Sequence, residues 1–472
     1  MTAVPPKPRI GVLALTLEFY EQLLPELRAR RERWLREAVL PAWGALAEVR
    51  FDRAVFTREA IEAAVQGFEA AGVDALVVLC LTYAPSQLVL PALRRTRLPI
   101  LIWNTQELTG VGADFDLGRM IDNHGVHGTQ DLASVLVQHG VPFHYVTSHP
   151  SEPAGLQTVH DFCAAAAAVN GLRGLRVGLL GYPFPGMGDF AVDTSHVAAT
   201  LGCQWTAIPV EEFIHRAASA PAEEARLLAA EYRRYYEVAS DVSEADLEGA
   251  ARAELSLRAI LSQRRLEAFS YQFLVFGEDE RTETLPFVAA SRLMADGLGF
   301  AGEGDLLGAI GVWLLARLQP PATFSEVFTI DFAGNALFMS HMGEANVAMA
   351  RTDRRVPLVA RPQPITRTRG RQLALVTSLE PGPATWFALC RGPNQRWRLI
   401  AGRMEIEDYG PLEGMCVPHF KLRAVGGDVR ELLTAYALAG GPHHNAVCFG
   451  DARARIRAAA QLLGADYHEL PC

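Results

Sequence analysis

The stretch GLGFAGEGD, residues 297–305, sets Glu303 and Asp305 directly ahead of LLGAIGVWLLARL, a run that is apolar nearly all round. Such a run predicts a helix buried within the protein. An isolated charge at its buried mouth needs a compensating partner. Helix-end N–H groups can serve, with Asp305 and Glu303 as caps; the sharper alternative is a metal ion or a polyol. Three further places carry ligand-type side chains. Glu326 lies in the apolar stretch FSEVFTIDF. His341 lies in FMSHMGE, where strand alternation would set it beside Met339 on one face. His443 and His444 lie in GGPHHNAV, a Gly/Pro turn entering a short strand, where one ring can bind a metal while its neighbour touches substrate.

Each of these residues also has a structural reading, since a buried histidine commonly bonds a backbone carbonyl. Together they supply two carboxylates and imidazoles from two places. Two oxygen and two nitrogen donors, with water or substrate completing the shell, suit Mn²⁺ or a similar divalent ion better than a closed Cys-rich zinc site. Such a set can hold adjacent sugar oxygens while a carboxylate moves a proton.

The first six residues of GLGFAGEGD spell G-x-G-x-x-G, which invites a dinucleotide-binding reading. That fingerprint has to follow a strand and open a helix, with an acidic residue about 20 positions on. Here the preceding LPFVAASRLMADG has helical spacing at Phe287, Ala290, Leu293 and Met294 and ends on a glycine stop. The glycines therefore follow a helix, and we expect no nucleotide cofactor. They are read as ending one helix and turning the chain sharply before the next.

The elements around these places alternate. RIGVLAL at residues 9–15 predicts a buried strand, and residues 18–39 an amphipathic helix. ALAEVRFDRAVF reads as a second strand, TREAIEAAVQGFEAAG as a helix capped by Thr57, VDALVVLCLTY and LPILIWN as two more strands, and TQDLASVLVQHG as a helix ending at Gly140. Strands buried on both faces and joined by helices predict a doubly wound parallel sheet. The pattern restarts at LRVGLLGYPFPGMGDF, residues 175–190. After about residue 325, strand-length runs separated by Gly/Pro/Asn turns predict an antiparallel domain, with a last helix at DARARIRAAAQLLG. The expected fold class is α/β: two doubly wound parallel-sheet domains, 1–170 and 171–325, and a mainly antiparallel, β-barrel-like domain over 326–472.

The bulk numbers agree with an ordinary globular chain. Of 472 residues, half are hydrophobic and 21% charged, and the formal charge of −9 argues against nucleic acid as a partner. The seven cysteines (80, 163, 203, 390, 416, 448 and 472) never form C-x-x-C, which argues against a disulfide framework or a zinc-thiolate site. The N-terminus lacks the layout of a signal peptide, and no apolar run approaches the roughly 20 residues needed to span a bilayer. A cytoplasmic protein without membrane partners is expected.

Taken in order, LMADGLGFAGEGD, TFSEVF, FMSHMGE and GGPHHNAV resemble the L-arabinose isomerase and L-fucose isomerase superfamily, closer to the arabinose side. Weaker similarity through NHGVHGTQDLASVL and the segment beginning at Met187 extends the resemblance over nearly the whole chain. The resemblance implies that Glu303, Glu326, His341 and His444 hold a divalent metal, with Mn²⁺ the first choice. It implies that Glu303 and Glu326 flank the substrate C1–C2 bond as an acid/base pair, and that an aldose becomes a ketose through an enediol. It further implies a trimer or hexamer in which an N-terminal-domain histidine, matched by His127, completes a neighbour's site. Met187 and Phe276 match apolar substrate-lining positions; His443, the neighbour of His444 in the loop, is read from the residues themselves as a substrate contact.

Two departures bear on the substrate. TLEFY at residues 16–20 stands where the family carries a Gly-Ser-Gln-like turn, and His124 replaces a glutamine usual before the N-terminal histidine. Losing a hydrogen bond to one hydroxyl leaves a buried group unpaired and alters sugar preference. The expected substrate is a free pentose or 6-deoxyhexose such as L-arabinose or L-fucose. A metal-assisted hydrolase or epimerase and a non-catalytic, regulatory sugar-binding protein on the same scaffold are the alternatives.

Overall fold

The computed structural model describes residues 6–44, 46–277 and 281–471. The chain divides into two compact units, one spanning 6–170 and the other running on from Gly171.

The first unit is built on a five-stranded parallel sheet in the order Glu48–Arg50, Arg9–Leu15, Ala75–Cys80, Ile100–Asn104, His144–Thr147. Its central strand ALVVLC is buried at every position, as continuous apolar strands flanked by helices must be. Thr57 caps the helix Arg58–Ala70, its hydroxyl accepting from the Ala60 N–H at 3.3 Å. Two expectations are corrected. The helix over 18–39 is broken at Pro25, which cannot donate to a continuing helix, into Glu18–Leu23 and a second stretch that is α-helical over Leu27–Trp34 and π-helical over Leu35–Val39. The second strand contracts to Glu48–Arg50, with only a single bridge from Leu15 to Val55 beyond it.

The second unit begins with a four-stranded parallel sheet in the order Gly299–Ala301, Ala268–Tyr271, Arg176–Leu180, Gln204–Ile208. The three-residue strand Gly299–Ala301 corrects the reading of GLGFAGEGD as a plain helix-to-helix turn. Gly297 ends the helix Phe287–Ala295 at positive φ, and the chain then crosses the sheet edge before turning into the helix Leu306–Leu318. All residues of that last helix except Gly308 and Arg317 are buried.

Six antiparallel strands then close into a barrel: Gly382–Arg391, His444–Phe449, Ala322–Asp331, Ala336–Ser340, His419–Ala424 and Trp397–Ile406, the last pairing back with the first. Asp466–Glu469 adds a parallel strand to Trp397–Ile406. Leu337, Met339, Trp386, Ile400, Phe420 and Val447 pack inside, sealed by the helix Val429–Leu438. A small sheet of Leu373–Leu375, Pro357–Ala360 and Glu237–Val238 flanks the unit. The parallel sheets and the closed antiparallel barrel are the α/β fold class that the sequence pattern predicts.

Among the described residues every cysteine is a free thiol, and no helix is long and apolar enough to cross a membrane. Cys472 lies outside the described residues.

Candidate active site

Barrel register builds the first half of the site. Glu326 pairs with His444 on one side and with Ser340 on the other, so three adjacent strands meet in one row. Val327, Met339 and Val447 pack with the barrel core; alternation turns Glu326 and His444 to the outer face. The strand Ala336–Ser340 ends one residue before His341. His341 therefore does not share a face with Met339, as alternation alone predicts; its ring packs edge-on against Phe324 at 4.6 Å and against His444 at 5.8 Å.

The central sheet supplies the other half. After the strand Gly299–Ala301 the chain turns through Glu303 at φ +61° and Gly304 at φ +82°. Phe184 N–H donates to the Glu303 carbonyl at 2.9 Å, which ties this turn to the loop after Arg176–Leu180. Glycine is demanded twice here. A Cβ on Gly302 would stand 2.6 Å from His341 Cε1, and one on Gly304 would stand 2.4 Å from the Tyr182 carbonyl oxygen.

The ligand-type atoms converge in two overlapping groups. Glu326, His341 and His444 each offer an atom within 4.8 Å of the others, and so do Glu303, His443 and His444. Glu303 Oε2 lies 3.6 Å from His444 Nε2 and 3.9 Å from His443 Nε2. The four residues expected as metal ligands thus gather around one imidazole, although Glu303 groups with the histidine pair and the other three form a group of their own. His444 is 1% exposed, yet its Nε2 has no hydrogen-bond partner. An orphaned buried acceptor facing carboxylates and a second imidazole fits a divalent ion, which the donor set of two oxygens and two nitrogens suits.

Each imidazole is oriented by its other nitrogen. Asp305 Oδ2 lies 3.0 Å from His444 Nδ1, and Glu344 Oε2 lies 2.7 Å from His341 Nδ1. Glu344 is itself buried and accepts a hydrogen bond from the Tyr271 hydroxyl. A carboxylate on Nδ1 fixes the tautomer that leaves Nε2 free, the usual support of a metal-binding histidine. Phe190 stacks flat on His444, 5.2 Å between centroids at 3°, and Phe324 closes the ring edge-on at 4.9 Å.

Electrostatics follow this geometry. Burial pushes the Glu303 carboxyl up, but the contacts with His443 and His444 and the charge of His341 outweigh it and bring it to about 2. Burial works to lower the His443 imidazole, while Asp189 and Glu303 raise it to about 10. His444 is raised in the same way, burial opposed by Asp305 and Glu303.

The remaining expected residues are not members of these two groups. Met187 sits half-buried on the loop that also carries Asp189 and Phe190, its N–H 3.3 Å from the Phe184 carbonyl. Phe276 is fully buried, edge-on to Phe213 and Tyr271. His124 and His127 belong to the first unit. There Gly125 lies so near the end of the strand Ala75–Cys80 that a Cβ would stand 2.0 Å from the Cys80 carbonyl oxygen. His124 bonds the Ile121 carbonyl through Nδ1 and the Tyr20 hydroxyl through Nε2, both at 2.9 Å; His127 is exposed beside it.

Sequence reasoning missed Asp189, Phe190, Tyr271 and Glu344, and weighed Asp305 as a cap, which it is, or as facing a metal or polyol, but not as the partner of His444. Only Glu344 had a readable signal, three residues after His341 in SHMGE.

Two domain families match this unit: the L-arabinose isomerase central domain over residues 187–317 and the L-arabinose isomerase C-terminal domain over 321–466, together more than half of the chain. The chain belongs to the L-arabinose isomerase family. Among similar proteins, the L-arabinose isomerase of Acidothermus cellulolyticus is 28% identical over 404 residues, covering 81% of this chain and 77% of that one. Those of Nocardioides sp. (26% identical; 77% of this chain, 73% of that one) and Mycolicibacterium smegmatis (27%; 90% and 85%) extend the likeness. Membership makes this chain an enzyme, an aldose–ketose isomerase.

Proposed function

We propose that this isomerase acts on a free pentose or 6-deoxyhexose, such as L-arabinose or L-fucose, with Mn²⁺ or another divalent ion held by Glu303, Glu326, His341 and His444. The observation that carries this reading is the buried His444 Nε2, left without a partner among two carboxylates and a second imidazole. When bound, the ion would polarise adjacent sugar oxygens and acidify the proton at C2. The rest is the work of side chains. Glu303 and Glu326 approach from different elements, so one can take a proton at C2 and return it at C1, or the two can divide these roles. Asp305 and Glu344 keep the imidazoles in the tautomer that presents Nε2.

A cytoplasmic homo-oligomer, trimer or hexamer, in which His127 and His124 serve a neighbouring copy's sugar, belongs to the same proposal. So do Met187, Phe276 and His443 as substrate contacts. Incubating purified protein and Mn²⁺ with a panel of aldoses, and assaying for ketose, tests the reading. Glu303→Gln and Glu326→Gln should each lose about 10²–10⁴-fold in kcat, the usual worth of a positioned acid or base. A panel in which no sugar turns over while ligand is still bound would favour the sugar-binding alternative.

A further inference from the structure

Asp189 lies on the loop that follows the strand Arg176–Leu180, and one of its carboxylate oxygens meets two donors of a single residue. Oδ2 accepts from the His443 backbone N–H at 3.1 Å and from His443 Nδ1 at 2.5 Å. A carboxylate accepts only, so the proton of this bond sits on Nδ1, and the two-point attachment fixes the ring orientation. The other nitrogen, Nε2, is thereby aimed to within 3.9 Å of Glu303 Oε2. The His443 side chain keeps 32% of its surface exposed, whereas that of His444 keeps none. One ring of the pair is thus open to a small molecule and the other is not. The next residue reinforces the grip: Phe190 stacks on His444, so residues 189–190 clamp residues 443–444 across 254 positions of chain.

Resting on the isomerase reading above, we infer that Asp189 is a positioning residue for the substrate: it holds His443 Nε2 beside Glu303 as a preset hydrogen-bonding contact for a sugar hydroxyl. His443 follows a Gly-Gly-Pro turn, and a ring tethered there by its backbone alone would have to be ordered each time a sugar binds. Asp189 meets that cost during folding. His443 is not one of the four residues proposed to hold the ion and stands outside the Glu326–His341–His444 group, so loosening it should touch sugar affinity before it touches metal.

The test is a double-mutant cycle on the Mn²⁺-loaded enzyme, with the aldose that turns over best. Asp189→Ala should raise KM by about tenfold, the scale of ordering one polar side chain, with a smaller change in kcat and with bound Mn²⁺ retained. Asp189→Asn, which keeps an oxygen acceptor, should recover most of that loss. Asp189→Ala combined with His443→Ala should be no worse than His443→Ala alone, because the two residues act as one. Additive losses, or a wild-type KM in Asp189→Ala, would overturn the inference. A second readout needs no turnover: in ¹⁵N-histidine-labelled protein, with His443→Ala as the assignment control, the Nδ1-protonated signal of His443 should survive in Asp189→Asn and be lost in Asp189→Ala. A panel without a substrate would defeat the isomerase reading; the signal persisting in Asp189→Ala would defeat the positioning role by itself.

Discussion

Asp305 serves two elements with one carboxylate: Oδ1 accepts from the Gly308 N–H at 2.7 Å and caps the helix Leu306–Leu318, while Oδ2 lies 3.0 Å from His444 Nδ1. The cap of a buried helix and the tautomer of a barrel histidine are therefore set together. Asp305→Ala should cost about 1 kcal/mol through the lost cap and lower Mn²⁺ affinity about 10–100-fold through the lost support of His444. Asp305→Asn, a good cap in its own right, should keep the stability and lose only part of the affinity. Thermal melts of the metal-free proteins and metal titrations of each variant separate the two effects.

The relay from Tyr271 through Glu344 to His341 predicts graded losses. Tyr271→Phe removes one donor and leaves a Glu344 oxygen unsatisfied in a buried place, at a cost of about 1–3 kcal/mol. Glu344→Gln keeps an oxygen acceptor for one partner only. It should weaken Mn²⁺ binding about 10–100-fold, while circular dichroism stays that of the wild type. Equal metal content in Glu344→Gln and wild type at limiting Mn²⁺ would show that His341 needs no such support.

What the sequence made legible follows from how local each signal is. The apolar run after Asp305 and the apolar stretch around Glu326 are each readable within a dozen residues, and both elements form there. The GGPHH turn was readable because glycine and proline punctuate the chain just before the strand His444–Phe449. GFA could not be read as a strand: three residues show no period, and only pairing with Ala268–Tyr271 makes them one. Asp189 and His443 are 254 positions apart, and nothing near either residue announces the other. Pro25 was in plain view, but the helical spacing on both sides masked the break it makes.

Metal removal carries a pH dependence with a definite sign. In the metal-free protein His443 is raised to about 10 and His444 is raised as well. A raised histidine stabilises the fold fully below its unfolded value near 6.5, and that stability is lost as pH climbs through the folded value. The carboxylates opposite, Asp189 and Glu303, are each lowered to about 2, so their share is present above their unfolded values near 4 and lost on acidification toward 2. These are two faces of the same contacts. Chelator-treated protein should therefore melt lower at pH 9 than at pH 7. A divalent ion at the proposed site would have to displace protons from this cluster, so the affinity for Mn²⁺ should rise over the same interval. Calorimetric titrations in buffers of different ionisation enthalpy should register proton release on binding, and His444→Ala should reduce it.

Gly302 offers the most local test of the site, because its environment forbids a single methyl group. The Cβ of Gly302→Ala would lie 2.6 Å from His341 Cε1 and 3.0 Å from Nε2, the atom opposite the Glu344 contact. His341 is 4% exposed and braced by Phe324, so the ring has little room to retreat. Gly302 has no left-handed φ, unlike its neighbours Glu303 and Gly304, so alanine strains the contact and not the backbone. Overpacking of this kind costs about 1–3 kcal/mol, and here it should fall on the ring of His341. Gly302→Ala should therefore fold with a modest loss in melting temperature and bind Mn²⁺ at least tenfold more weakly. Gly302→Ala combined with His341→Ala should recover part of the lost stability, since the second change empties the space that the methyl group invades. A Gly302→Ala enzyme with wild-type metal affinity would mean that His341 does not sit against this turn when the metal is bound.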